Sequence, residues 1–155
     1  MPGLCSLRVL GADLDREAAI ALAAAGWRLK RLDLSGNAKL GAAVIAALLS
    51  APTFAIRRLD LSDCELDVAA LLAIADPAWP LEQLDFKGHD LSSAEAAPAI
   101  TALSRRAGMR VLKLDFCGLS AAGFKALAEA RWPSLTKLHA QCAAMPWNDS
   151  PQKWV

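Results

Sequence analysis

The sequence predicts an α/β fold: a short solenoid in which each turn is one strand followed by one helix. Three observations predict it. A segment of the form L-x-x-L-x-L-x-x-N/C-x-L recurs, starting at Leu4, Leu29, Ile56, Leu81, Met109 and Leu135. The starts lie 25, 27, 25, 28 and 26 residues apart, a period typical of stacked strand–helix repeats. Between the copies, apolar residues fall three and four apart, which is the spacing of one helical face.

The first unit, LCSLRVLGADL, places Ser6 and Arg8 on one face of a strand and Leu7 on the other, because successive side chains alternate. Its helix follows Asp15, an N-cap residue, and carries Ala19, Leu22 and Ala23 inward. The second unit, LKRLDLSGNAKL, has one extra residue, so Leu40 does what Leu66 and Leu91 do elsewhere. Its helix face is Ile45, Leu48 and Leu49. In the third unit, IRRLDLSDCEL, Leu59 and Leu61 point inward while Arg58, Asp60 and Ser62 point outward. Asp67 caps its helix, which buries Leu71, Ile74 and Ala75.

The fourth unit, LEQLDFKGHDL, is followed by Ser92 and Glu95 at capping-box spacing and by the column Ala96, Ala99 and Ile100. Pro98 removes a backbone donor early in that helix. The fifth unit, MRVLKLDFCGL, leads to a helix capped by Ser120, with Phe124, Leu127 and Ala128 inward. A partial sixth, LTKLHAQCAAM, closes the array. Abundant alanine favours the helical state and lets each helix approach its strand closely. Trp27, Phe54 and Trp79 lie two residues before the second, third and fourth repeats and Trp132 three before the sixth. An aromatic binding strip is the alternative, but recurrence in phase with the core favours apolar plugs where helix turns into strand.

The expected organisation is one domain over residues 1–155, with 146–155 as a cap or tail. The closing MPWNDSPQKWV breaks the period and offers Met145, Trp147 and Trp154 as a lid on the last turn. Its polar, Pro-containing make-up also suits a docking tail. Hydrophobic residues at 55% and charged residues at 21% supply a core and argue against a disordered chain. A net charge of +1 argues against a strongly basic nucleic-acid platform. No apolar run reaches a membrane span, and MPGLCSLRVLGADLD does not read as a secretory leader. Cys5, Cys64, Cys117 and Cys142 follow no C-x-x-C spacing. The expected setting is therefore cytoplasmic and reducing.

The LDLSGN, LDLSDC and LDFCGL segments, within a resemblance spanning about residues 4–145, are similar to the ribonuclease-inhibitor-like class of leucine-rich repeat proteins. That resemblance implies a right-handed solenoid with parallel strands on a concave face and helices on a convex one. It implies, too, that position nine (Ala12, Asn37, Cys64, His89, Cys117, Ala143) hydrogen-bonds loop backbone between turns. GFKALAEA and GAAVIAALL also resemble repeats of bacterial effectors secreted into host cells, which would set the protein in the host cytoplasm.

Outward columns carry the candidate site. Position three reads Ser6, Arg31, Arg58, Gln83, Val111, Lys137, and position five reads Arg8, Asp33, Asp60, Asp85, Lys113, His139. Position seven reads Leu10, Ser35, Ser62, Lys87, Asp115, Gln141. Asp33, Asp60 and Asp85 form a like-charge stack that needs cations. Arg31 and Arg58 flank it, and Arg8 and Lys113 bracket it. The strip reads either as a self-compensated surface ladder or as a recognition surface on which a partner's basic group replaces an internal cation. The residues expected to meet a protein partner are Arg31, Asp33, Arg58, Asp60, Gln83, Asp85, Lys113, Asp115, Phe116, Lys137 and His139. Phe116, at position eight, is the large apolar anchor.

No catalytic residue, metal ligand or cofactor is expected. Cys64 and Cys117, two rungs apart, would sit roughly 10 Å from each other, beyond disulfide reach. His139 and Cys142 supply the residue types of a nucleophile–base pair, but three positions apart on one strand they tend to opposite faces. Lys30–Arg31 and Arg57–Arg58 make a basic patch that suits nucleic acid, opposed by Asp33 and Asp60. The expected function is thus a non-catalytic protein-interaction module. The alternative is the substrate-recognition region of a larger enzyme, such as a ubiquitin-ligase-type effector. Only three residues precede Leu4, so the first repeat is expected to be uncapped and open to self-association.

Overall fold

The computed structural model describes residues 3–51, 53–75 and 79–141. It is an α/β structure with one open sheet of six parallel strands and five helices. The strands are β1 (Ser6–Arg8), β2 (Arg31–Asp33), β3 (Arg58–Asp60), β4 (Gln83–Asp85), β5 (Val111–Lys113) and β6 (Lys137–His139). The helices are α1 (Arg16–Ala24), α2 (Ala42–Leu49), α3 (Val68–Ala75), α4 (Ala96–Ser104) and α5 (Ala121–Glu129). Strands lie in chain order, each beside its successor, and each helix packs on the next. None of the described helices is long and apolar enough to cross a membrane.

The pairing register matches the sequence columns rung by rung. Leu7, Leu32, Leu59, Leu84, Leu112 and Leu138 are paired in one row. Leu32, Leu59, Leu84 and Leu112 are buried, and Leu34, Leu61, Phe86 and Leu114 join them. The helical columns close the other side of the core: Ile45 and Leu48, Leu71 and Ile74, Ala99 and Ile100. Each buried leucine or isoleucine contributes about 2 kcal/mol. Phe54 and Trp79 are buried with ring centroids 6.3 Å apart, which suits plugs at the helix-to-strand turn. The Trp132 indole donates to the Leu127 carbonyl at 3.1 Å.

Helix starts follow the caps with one exception. Asp15 accepts from the Ala18 amide at 2.9 Å, Asp67 from Ala70 at 3.0 Å, and Ser120 from Gly123 at 3.4 Å. Ser92 does not cap α4, and the expected box with Glu95 is not formed: α4 begins at Ala96 after a turn through Ser93–Glu95. Pro98 is the reason. A helix starting just after Ser92 would hold the proline in its interior, where it breaks a hydrogen bond and clashes. Starting at Ala96 puts Pro98 in the first turn, where amides have no intrahelical acceptor anyway.

A second departure is α5, where Gly123 and Leu127 are buried but Phe124 is 37% exposed and Ala128 also faces solvent. Phe124 occupies the column of Leu71, but no further helix among the described residues packs beside α5. At the sheet's edges, Leu10 is 50% exposed and Leu138 43%. The expected lid at 146–155, with Met145, Trp147 and Trp154, and the position-nine Ala143 lie outside the described residues.

Candidate functional site

Position nine forms an internal ladder. Asn37 is fully buried; its Nδ2 donates to the carbonyls of Val9 (2.7 Å) and Leu34 (2.6 Å). Its Oδ1 accepts from the amides of Ala12 (2.8 Å) and Leu14 (3.2 Å). One rung on, the Cys64 thiol donates to the Leu34 carbonyl at 3.0 Å, and Cys117 donates to Phe86 at 3.0 Å. His89 Nδ1 accepts from the Leu66 amide at 3.0 Å, so Nε2 carries the proton and donates to the Leu61 carbonyl at 2.7 Å. Burial pushes the Cys64 thiol up to about 11 and raises Cys117 as well. Burial also drives His89 below its ordinary value, against the opposing pull of the Leu61 carbonyl. These are protonated thiols and a neutral imidazole whose hydrogen-bonding groups tie one turn to the turn before.

The opposite, solvent-facing side of the strands carries the candidate contacts. Arg31, Arg58, Gln83, Val111 and Lys137 are paired in succession, as are Asp33, Asp60, Asp85, Lys113 and His139. Two of the three aspartates have cations. Arg8 Nε donates to Asp33 Oδ2 at 3.0 Å, and the Ser35 hydroxyl and amide donate to Oδ1 at 2.8 and 3.2 Å. Burial pulls Asp33 upward, but Ser35 and Arg8 outweigh it and hold the carboxyl below its ordinary value. Lys113 Nζ lies 2.6 Å from Asp85 Oδ2, and that hydrogen bond raises the lysine above its ordinary value.

Asp60 differs. Ser62 gives its Oδ1 a hydroxyl bond at 2.7 Å and an amide bond at 3.0 Å, but no cation among the described residues forms an ion pair with it; Lys113, bound to Asp85, acts on it only through its longer-range field. Arg31 and Arg58 are exposed and make no side-chain hydrogen bond or ion pair among the described residues. Of the four cations expected to compensate the stack, the bracketing pair does so and the flanking pair does not. The flanking arginines project from position three, while Arg8 and Lys113 share position five with the carboxylates they meet.

Five expected contacts share a shallow groove of about 230 Å³ that spans β1 to β4: Arg31, Asp33, Arg58, Asp60 and Gln83. Asp85, Lys113, Asp115, Phe116, Lys137 and His139 lie outside its lining. Asp115 Oδ1 accepts from the Gln141 amide at 2.8 Å, while Lys137 and His139 stand exposed on the edge strand β6. Phe116 is 45% exposed with φ +58°, and the Lys87 ammonium lies 5.6 Å from its ring centroid. Gly11, Gly36, Asp63 and Gly88 occupy the same position with positive φ, so the turn demands a left-handed residue and Phe116 pays for it in strain.

Sequence reasoning missed Arg106. Its guanidinium is buried and donates to the carbonyls of Ile74 (2.9 Å), Ala75 (3.4 Å) and Trp79, closing the C-terminal end of α3. The RRAG context offers no sign of burial, since the neighbouring Arg105 is exposed. A larger cleft of about 580 Å³, lined in part by Glu82, Arg105 and Arg110, contains none of the expected contacts. Arg57, from the basic patch, is paired with Glu82 across adjacent rungs.

Compared with known proteins, the chain matches no family model, and no curated protein is significantly similar to it.

Proposed function

We propose that this chain is a leucine-rich repeat protein of the ribonuclease-inhibitor-like class, acting as a non-catalytic module that binds a protein partner through the concave face of its strands. The position-nine ladder supports the class: a side chain from each of four successive turns reaches the backbone of the preceding turn. The observation that carries the function is Asp60, which among the described residues has no contact cation, between two aspartates that have one. A half-buried carboxylate in a like-charge stack is improved by any basic group brought to it. Phe116 adds an exposed ring held in a strained turn, a feature that persists where it serves contact. Protonated, buried thiols at Cys64 and Cys117 suit a reducing, cytoplasmic setting.

The test is affinity capture from lysate with wild type, Asp60→Arg and a helix-face control, Glu129→Arg. A protein retained by wild type and by the control, and lost with Asp60→Arg at unchanged circular dichroism, is the expected result. An identical set of proteins on all three resins contradicts the reading.

A further inference from the structure

We propose that the groove across β1 to β4 takes an extended peptide segment carrying an acidic side chain and, two residues away, a basic one. This rests on the reading of the strand face as a protein-binding surface and specifies what that surface recognises.

The acidic half of the motif follows from Arg31 and Arg58. They are directly paired in the parallel register, so their strands lie about 4.8 Å apart. Both are exposed and without an anionic partner among the described residues. Two like charges so close repel, and a carboxylate bridging both guanidiniums converts the repulsion into charge-assisted hydrogen bonds. Asp33 and Asp60 cannot serve both needs. Asp33 is already held by Arg8 and Ser35, and Asp60 turns its Oδ1 to Ser62.

The basic half follows from Asp60. Its flanking aspartates are in contact with Arg8 and Lys113, whereas Asp60, at the centre of the row, has no contact cation among the described residues and feels Lys113 only at longer range. An incoming lysine or arginine completes the alternation.

The spacing of the motif follows from β3. Arg58 and Asp60 are two residues apart on one strand and point to the same face. That separation is about 6.6 Å, the same as between side chains i and i+2 of an extended peptide laid along the strand. A groove of about 230 Å³ is smaller than the 300–1,000 Å³ typical of drug-sized ligands, so it fits side chains from a peptide better than a whole small molecule.

The experiment is selection of a displayed library of random twelve-residue peptides against the full 155-residue chain and against the charge-swapped variant Arg31→Glu, Arg58→Glu, Asp60→Lys. Wild type is expected to enrich peptides with an acidic and a basic residue two positions apart in one chain order, and the swapped protein peptides with the opposite order. Single variants keep the test sound if the triple variant folds poorly. Arg58→Gln should abolish the preference for the acid and keep that for the base, and Asp60→Asn the reverse. Each should weaken the best wild-type peptide about ten-fold. Peptides enriched without this pattern, or the same pattern from the swapped protein, or no enrichment by a folded wild type, overturn the inference. A captured protein still lost with Asp60→Arg would leave the wider binding function standing.

Discussion

Asp60 and Asp85 are directly paired across β3 and β4, yet only Asp85 has a cation, the Lys113 ammonium 2.6 Å from its carboxylate. The same backbone position on neighbouring rungs therefore carries two different electrostatic states. Asp85 is structural, being 8% exposed and compensated within the fold; Asp60 is in contact with a hydroxyl and an amide but feels Lys113 only at longer range.

The pair separates by mutation. Lys113→Met leaves a buried carboxylate without its cation and should cost about 1–3 kcal/mol. Asp60→Asn removes one of three stacked charges and should stabilise by about 0.5 kcal/mol. Urea unfolding of the two variants checks both signs; a stabilising Lys113→Met would mean the ammonium contributes nothing to the fold.

Asn37 satisfies four backbone groups from two turns. Asn37→Ala should cost about 3 kcal/mol, because buried amides and carbonyls lose partners that water cannot replace. Thermal unfolding would reveal it, and a loss below about 1 kcal/mol would show that the first two turns are not tied through this side chain.

His89 links stability to pH. Its folded-state value lies below the ordinary 6.5, so above 6.5 it is neutral in both states and its contribution is fully present. As pH falls below 6.5, the unfolded chain takes up a proton that the folded one resists, and stability declines towards the folded value. Asp33, held below 3.8, adds a second loss only at lower pH. His89→Asn should flatten the decline that begins at 6.5, as read from urea midpoints across a pH series. An unaltered slope would assign the effect elsewhere.

Phe116 sits in a left-handed turn that glycine occupies on three other rungs. Phe116→Gly relieves that strain while removing a half-exposed ring, so stability should rise by about 0.5–1 kcal/mol or hold level. Partner affinity should drop at the same time. A variant that unfolds more easily would make the ring a packing element and not a contact.

The strands were legible because their two faces repeat in phase. Leu32, Leu59, Leu84 and Leu112 inward, with Arg31, Asp33, Arg58 and Asp60 outward, needed only alternation and the common period. Helix faces were less so. Alanine-rich segments give a weak inward stripe, and Phe124 reads as core until it is known that, among the described residues, no helix beyond α4 packs against α5. The late start of α4 was visible only as a tension between the Ser92–Glu95 pattern and Pro98. In the site, side-chain reach was the hidden quantity. The sequence places both Arg8 and Arg31 next to the aspartate stack, and the structure shows that the ion pair goes to Arg8, which shares the column of Asp33.

Hydrogen–deuterium exchange on the complex with a captured partner tests the central claim most directly. Protection confined to Arg31–Asp33, Arg58–Asp60 and Gln83–Asp85, with the loop at Phe116, is the result predicted for binding on the strand face. Protection of α2, α3 and α4 with the strands unchanged would contradict it.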